Sequence, residues 1–519
     1  MSVMGDKVPY PQMSSNDMMD YLIERLLYRF RDSAKNPEMA KRFELAYKQR
    51  FKANMMPEGS VYVENVCLHG TPGVGKTSVV RAAAKEIAKM TGMKFVLDPV
   101  PPYRPDPNDL LVTTLEMSGE ISNIIIGGIP IADQLGTNSP VKYMNKLPLY
   151  QLAIIPEATA SVLLLDDFAN AAPMVQNSAL SIALEGRFQM MSLGNAYVAL
   201  TANLGALDNS DVSPLSDPMT ARIGHFYVED TVPDFVDRIN AKHTDSIGDA
   251  GICSFLMQDR SLFLLPTDSE HRSSVNGLRT PFPCPRTWEK LINELRVYRN
   301  RINGSGLVTA ALQAAGSTDA LEEVAKSGFS LGHIIKLSEA YVGKHAATKV
   351  ANYVYAMMTG AEPIVKEAIR DGKFNEDLFK NRYNDGIDSA SQDFGYQVAF
   401  CLSAHASSFI SEEKGNNLDE VIGRFGKVLA NLDAPTRCLA MSDFGSRLKL
   451  AMPEWAVKDS TGKPLYIDGD YTSKICKVIY ENGRYTKQEA QDISHAFVNA
   501  NRRDSYSSKK TERPGRIAP

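Results

Sequence analysis

Residues 70–77 read Gly70-Thr71-Pro72-Gly73-Val74-Gly75-Lys76-Thr77, and no other stretch constrains the fold as tightly. The pattern G-x-x-x-x-G-K-T is that of a phosphate-binding loop. Its glycines let the backbone curl with successive N–H groups facing inward, which makes a cradle for phosphate oxygens. Lys76 is placed to reach the β- and γ-phosphates of a nucleoside triphosphate, and the Thr77 hydroxyl to hold Mg²⁺. The flanks agree with the pattern: Asn65–His69 is a short apolar strand, and Ser78–Ala84 opens a helix. A phosphate would then sit at a helix N-terminus, where free N–H groups and the dipole favour an anion. With Lys94–Leu97 as the next strand, this is a β-α-β unit of a parallel sheet.

A second element follows at Ser161-Val162-Leu163-Leu164-Leu165-Asp166-Asp167, a buried strand ending in two acids. Open α/β sheets bind ligands at the carboxyl ends of their strands. Asp166 is therefore placed to hold Mg²⁺ through water, and Asp167 to orient or deprotonate an attacking water. Asn203 ends another apolar run, where it either bonds that water or the γ-phosphate, or satisfies the backbone. Phe188–Ser192 and Tyr197–Thr201 flank Leu193-Gly194-Asn195, whose turn chemistry predicts a hairpin. Arg222 precedes a short strand, His225–Val228. Arg286 falls in the first turn of a proline-paced helix, where the dipole mildly disfavours a cation, and a rule broken locally hints at function.

A chain of 519 residues has room for two to four domains. A net charge of −4 argues against a broadly basic nucleic-acid surface. The six cysteines lie far apart without a C-x-x-C pair, which predicts buried free thiols in a reducing compartment rather than zinc or disulfides. The eight histidines do not group along the sequence, so the expected metal is Mg²⁺ alone, held with nucleotide. No apolar run is long enough for a bilayer, and Met1 to Asn16 lacks a signal pattern, so a cytoplasmic protein is expected.

Met1 to Ser14 reads as polar and loose. Ser15 or Asn16 can cap a helix carrying Leu22, Leu26, Leu27 and Phe30 on one face, and a second helix is expected from Pro37 to Lys52. Proline-rich Asp98 to Pro156 reads either as a mobile working loop or as an insert or crossover packed on the sheet. Ala172–Glu185 is expected to be one helix. Beyond Glu229 the pattern is helical, with helices at Leu331–Val342, Ala346–Met358 and Pro363–Arg370. Glu376 to Ala500 is again mainly helical around a turn-rich interruption, Asp459 to Asp470. The tail from Arg502 is basic and expected to be disordered, either solvated or touching an acidic partner.

In order, these motifs resemble the AAA+ ATPases, and within them the MoxR-type group. The resemblance is carried by GTPGVGKTSVVRAAA, LLLDDFANAAPMVQNSAL with EGRF, ALTAN, LSDPMTARIGHF and PCPRTWEKL, over roughly Glu58 to Gly372. It implies an α/β fold with a five-stranded parallel core sheet, a helical lid and a further mainly helical C-terminal region. The expected division is 1–57 as a helical extension, 58–230 as the nucleotide domain, 231–375 as the lid, 376–501 as a C-terminal helical domain and 502–519 as the tail.

The resemblance also implies ATP as substrate, bound by Gly70 through Ser78 (Gly70, Thr71, Pro72, Gly73, Val74, Gly75, Lys76, Thr77, Ser78), with Mg²⁺ at Thr77 and Asp166. Asp167 stands where the group usually has a catalytic Glu. Asn203 matches sensor 1, Arg286 sensor 2, and Arg222 the finger that reaches a neighbour's γ-phosphate, with Arg187 the weaker candidate. Leu115–Leu135 falls where the group inserts a loop into helix 2, and Phe188–Ala196 where it has a hairpin before sensor 1, both facing pore or partner. Such proteins form rings, usually hexamers, that remodel or assemble a protein client, and often work with a von Willebrand A-domain partner. Two departures stand out. Asp167 is one methylene shorter than Glu, and Arg222 is followed by Ile-Gly-His-Phe rather than the common Arg-Phe pair. The competing expectations are a DNA-associated motor or loader, as in a phage or mobile element, and a nucleotide-gated scaffold with little hydrolysis.

Overall fold

The computed structural model describes residues 8–34, 36–53, 55–56, 64–118, 124–134, 142–194, 196–208, 210, 212–242, 247–264, 274–275, 278–303, 331–383, 389–458, 464–482 and 485–502. The chain forms two compact units, the first spanning Met1–Asp234 and the second Phe235–Leu265 with Glu270–Pro519.

The first unit is built on a seven-stranded sheet, not the expected five. Its strands are β1 (Gln12–Ser14), β2 (Val66–His69), β3 (Lys94–Leu97), β4 (Asp109–Glu116), β5 (Ala160–Asp166), β6 (Ala196–Ala202) and β7 (Gly224–Glu229). Their order is β1-β7-β2-β6-β5-β4-β3, and every pairing is parallel. The two additions are β1 and β4. Gln12–Ser14, in a segment expected to be loose, pairs with β7. At the far side Lys94–Leu97 pairs with β4, so β2 and β3 share a sheet without being neighbours.

Strand β4 corrects the reading of Asp98–Pro156 as a working loop. Leu110, Leu111 and Val112 are wholly buried, and the strand lies in full register along β5. Its apolar run is the signature of a strand covered on both faces, which the clustered prolines before it obscured. The rest of that segment includes an antiparallel ribbon of Ile129–Gln134 with Lys142–Leu147.

Alternate side chains of each central strand serve two cores, as the strand period of two requires. Val162 and Leu164 join a cluster with Leu22, Leu26, Leu27 and Phe30 of helix α1 (Ser15–Ser33), Phe43 of α2 (Pro37–Phe51) and Val80, Ala83 and Ile87 of α3 (Lys76–Thr91). Leu163 and Leu165 join a second cluster with Leu152, Phe168, Val175, Ile182 and Phe188. The expected stripe on α1 is thus a core face. Its cap is Ser14 rather than Ser15 or Asn16, since the Ser14 hydroxyl accepts from the Asp17 N–H at 3.1 Å.

Two local expectations also change. Ala172–Glu185 is divided into Pro173–Ser178 and Leu180–Glu185. The hairpin lies one step earlier than expected. Arg187–Phe188 pairs with Met191–Ser192, while Ala196–Ala202 is a central parallel strand.

The second unit is mainly helical. Helix α4 (Pro285–Asn303) buries Trp288 completely, and its indole N–H donates to the Phe263 carbonyl at 3.1 Å. The two helices expected at Leu331–Val342 and Ala346–Met358 meet within α5 (Leu331–Ala356) at Gly343, whose φ of 72° and ψ of 167° are non-helical. That conformation is open essentially to glycine alone. A Cβ there would also collide with the Pro281 carbonyl oxygen. Gly343→Ala is therefore expected to destabilise this unit by roughly 1–3 kcal/mol, the usual cost of such strain. Urea unfolding followed by Trp288 fluorescence checks this, and an unchanged midpoint would refute it. The turn-rich interruption holds a short ribbon of Ala456–Lys458 with Pro464–Ile467. The last helix reaches Arg502, and the remaining tail lies outside the described residues. Among the described residues no helix is long and apolar enough to cross a membrane.

Candidate functional site

The phosphate loop joins β2 to α3 at the carboxyl ends of the strands. Gly73 and Gly75 have φ of 85° and 97°, the left-handed region that a side chain disfavours. Gly70 is required for another reason, because a Cβ there would stand 2.9 Å from both the Val228 carbonyl oxygen and Val74 Cγ1. Gly75 caps α3 without any side-chain bond, which leaves the first-turn N–H groups to face the loop.

Lys76 is 6% exposed, so its ammonium must be satisfied within the loop. It donates to the carbonyls of Gly70 at 2.8 Å and Thr71 at 3.2 Å, and to Asn203 Oδ1 at 2.9 Å. The Asn203 amide in turn reaches Asn170 Oδ1 at 3.4 Å. Thr77 Oγ1 donates to Asp166 Oδ1 at 2.6 Å. The structure thus brings Lys76, Thr77, Asp166 and Asn203 together, although they come from three different strand ends.

Three residues passed over in the sequence complete the group. Thr201 Oγ1 donates to the same Asp166 oxygen at 2.6 Å and accepts from the Asp167 N–H at 2.8 Å, so it orients both acids. Glu116, the last residue of β4, is the register partner of Asp166. Burial first, then the negative charges of Asp166 and Asp167, raise its carboxyl above the usual range, while Arg81 opposes the shift. Arg81 itself, on α3, donates to Thr114 Oγ1 at 2.9 Å and Asp98 Oδ2 at 3.2 Å, which ties β4 to the helix. Glu116 did carry a signal: DLLVTTLE is an apolar run ending in an acid, the same grammar as SVLLLDD.

Asp167 adopts a left-handed conformation, φ 51° and ψ 41°. Asp tolerates that region better than Glu, because its short carboxylate can bond locally. The shorter acid therefore suits the backbone turn on which it sits.

Arg222 is exposed in the turn just before β7, and Arg187 is exposed at the start of the Arg187–Ser192 hairpin. Arg286 is exposed in the first turn of α4, in the second unit.

The structure also overturns the view that the histidines do not group. His69, the last residue of β2, and His225 on β7 face one another with Nε2 and Nδ1 at 2.8 Å. The thiol of Cys67 lies on the same face. Burial, His225 and Lys76 hold the His69 imidazole down to about 3, and burial pushes the Cys67 thiol up to about 12.

The hard-oxygen pair Thr77 and Asp166 suits Mg²⁺, and the glycine-lined loop with Lys76 suits a polyphosphate. The family model for AAA, the ATPase family associated with various cellular activities, matches residues 66–124. Among solved structures, the RuvB Holliday junction branch migration motor of Thermotoga maritima is 12% identical, with 70% of this chain and 88% of that chain covered and a TM-score of 0.22. A mutant of RuvB from the same organism gives 13% identity, 70% and 89% coverage and a TM-score of 0.24. No curated protein matches. Sheet and phosphate loop make the first unit a P-loop α/β domain, and the AAA family model matches the part of it from residue 66 to residue 124.

Proposed function

We propose that this chain is an ATP-hydrolysing AAA+ machine that works as a homo-oligomeric ring, a hexamer by analogy, and remodels or assembles a protein client. The carrying observation is the bond from Thr77 Oγ1 to Asp166 Oδ1 at 2.6 Å, beside a lysine shared between the phosphate loop and Asn203. Lys76 and the loop N–H groups bind the polyphosphate. Thr77 and Asp166 hold Mg²⁺, which supplies charge neutralisation on the β- and γ-phosphates. Asp167 orients the attacking water and takes its proton, with Thr201 fixing its backbone. Asn203 positions that water or the γ-phosphate, Arg286 senses nucleotide from the lid, and Arg222 completes a neighbouring copy's site.

The client is read as a protein because two neighbouring hairpins expose methionines, beside Lys146 on the first and Arg187 on the second. Met190 is 87% exposed and Met144 76%. Their bases adjoin, since Gly128 beside the first ribbon approaches Phe188 of the second hairpin. Methionine is soft and adaptable, which suits varied apolar segments. The MoxR-type subgroup and a von Willebrand A-domain partner belong to this same proposal.

ATP turnover per chain, measured against protein concentration, tests it. A steep rise with concentration is expected, because each site needs a neighbour. Flat turnover would overturn the ring reading, and DNA-stimulated, salt-sensitive turnover would point to a nucleic-acid motor instead.

Asp167 favours a second reading, a nucleotide-gated scaffold. Misplacing a catalytic group by 1 Å can cost on the order of a hundredfold, and Asp is one methylene short. Under the leading proposal Asp167→Asn is expected to abolish turnover, and Asp167→Glu to change it little because of the strained turn. A large gain in Asp167→Glu, by the same steady-state assay, would favour the scaffold.

A further inference from the structure

The geometry points to a binding site for one soft divalent cation, zinc or cobalt, formed by Cys67, His69 and His225 at the base of the phosphate loop. Cys67 and His69 alternate along β2 and so share a face, and His225 is the register partner of Cys67 on β7. Their ligand atoms all lie within 4.8 Å of one another. A tetrahedral zinc with bonds of about 2.0–2.3 Å needs ligand atoms about 3.3–3.6 Å apart, so the histidine pair at 2.8 Å must open slightly to admit it.

The hydrogen bonds already set the donor atoms. His225 Nε2 lies 3.2 Å from the Thr220 carbonyl oxygen, which can only accept, so this nitrogen carries the proton. His225 Nδ1 therefore has its lone pair directed at His69 Nε2, which donates to it. A backbone carbonyl that fixes the far nitrogen of a ligating histidine is the usual outer-shell device of metal sites. The Tyr10 ring stacks on His69 with centroids 4.1 Å apart, and on His225 at 5.2 Å, which fixes both imidazoles. His225 is only half-buried, which gives a water access to the fourth position. Thiolate with imidazole selects zinc or cobalt over Mg²⁺. On binding, the Cys67 thiol proton leaves to water and the His69 proton moves from Nε2 to Nδ1, so one proton is released per metal.

The test is a cobalt titration of the full-length, untagged chain, in excess Mg²⁺ and without nucleotide. One cobalt per chain is expected, with a thiolate-to-cobalt charge-transfer band, intense tetrahedral visible bands, one proton released and displacement by zinc. Cys67→Ser is expected to lose the charge-transfer band, and His225→Gln to weaken cobalt binding roughly tenfold or more, as loss of a ligand or its support does. Absence of the band in the native chain overturns the site, leaving the histidines as a hydrogen-bonded pair. A band that persists in Cys67→Ser, or affinity unchanged in His225→Gln, overturns it equally. Should Cys67→Ser fail to fold, the half-buried His225 decides the matter alone.

Discussion

Arg222→Ala is expected to lower ATP turnover by roughly 10³–10⁵-fold, the range over which a finger arginine acts in phosphoryl transfer. Within one subunit the phosphate loop has its own cation in Lys76, held by Gly70, Thr71 and Asn203. Arg222 is exposed in the turn before β7, so its charge is presented outward. In the proposed ring, a guanidinium so placed would act on a copy docked against that face, meeting the charge that develops on the transferring phosphoryl group. Because it is exposed, its removal should leave folding within about 0.5 kcal/mol of the native chain. The discriminating measurement is steady-state turnover at concentrations that saturate assembly, beside binding of a fluorescent ATP analogue. Lost turnover with retained binding is the expected pair. Unchanged turnover, or a comparable loss in Arg187→Ala alone, would assign the finger elsewhere.

The second large effect is expected from Asp166→Asn, a fall in Mg²⁺-dependent turnover of roughly 10²–10³-fold, as for loss of one preorganised electrostatic group. The substitution is nearly isosteric. Oδ1 of Asn can still accept from Thr77 and Thr201, so both 2.6 Å bonds have their acceptor. What disappears is one negative charge among three carboxyl groups, Glu116, Asp166 and Asp167. Glu116 should then ionise more readily, since Asp166 is part of what raises it after burial. Turnover across Mg²⁺ concentrations, paired with thermal unfolding, separates a lost metal site from a damaged fold. Full activity at ordinary Mg²⁺ would remove Asp166 from the proposed role.

The nucleotide site was readable where chemistry and backbone demand the same residues. Glycines with positive φ, a lysine and a hydroxyl must fall at fixed spacing in a phosphate loop, so Gly73, Gly75, Lys76 and Thr77 declare themselves. Strand β5 was legible because four apolar residues lead into Asp166. β4 has the same form, yet its neighbourhood of prolines outweighed it, and Glu116 was lost with it. Thr201 was overlooked because a hydroxyl inside a strand is ordinary, and only the fold shows that it faces Asp166. The His69–His225 pair could not be read at all. The residues stand 156 apart, and their meeting depends on β7 pairing with β2 rather than with any other strand. Likewise β1 is three residues of unremarkable composition, whose strand character comes wholly from the partner it finds.

That short strand has a consequence for how copies can meet. Without it, β7 would be an open edge of six residues, a row of unpaired N–H and C=O groups able to recruit a strand from any passing chain. Gln12–Ser14 occupies the half of that row at Tyr227–Glu229. In the proposed ring, a copy meeting this side would find a short, half-covered edge, so side chains would supply most of the recognition. Contacts of that kind can form and release with each chemical cycle, whereas a shared sheet would hold the subunits in one irreversible register.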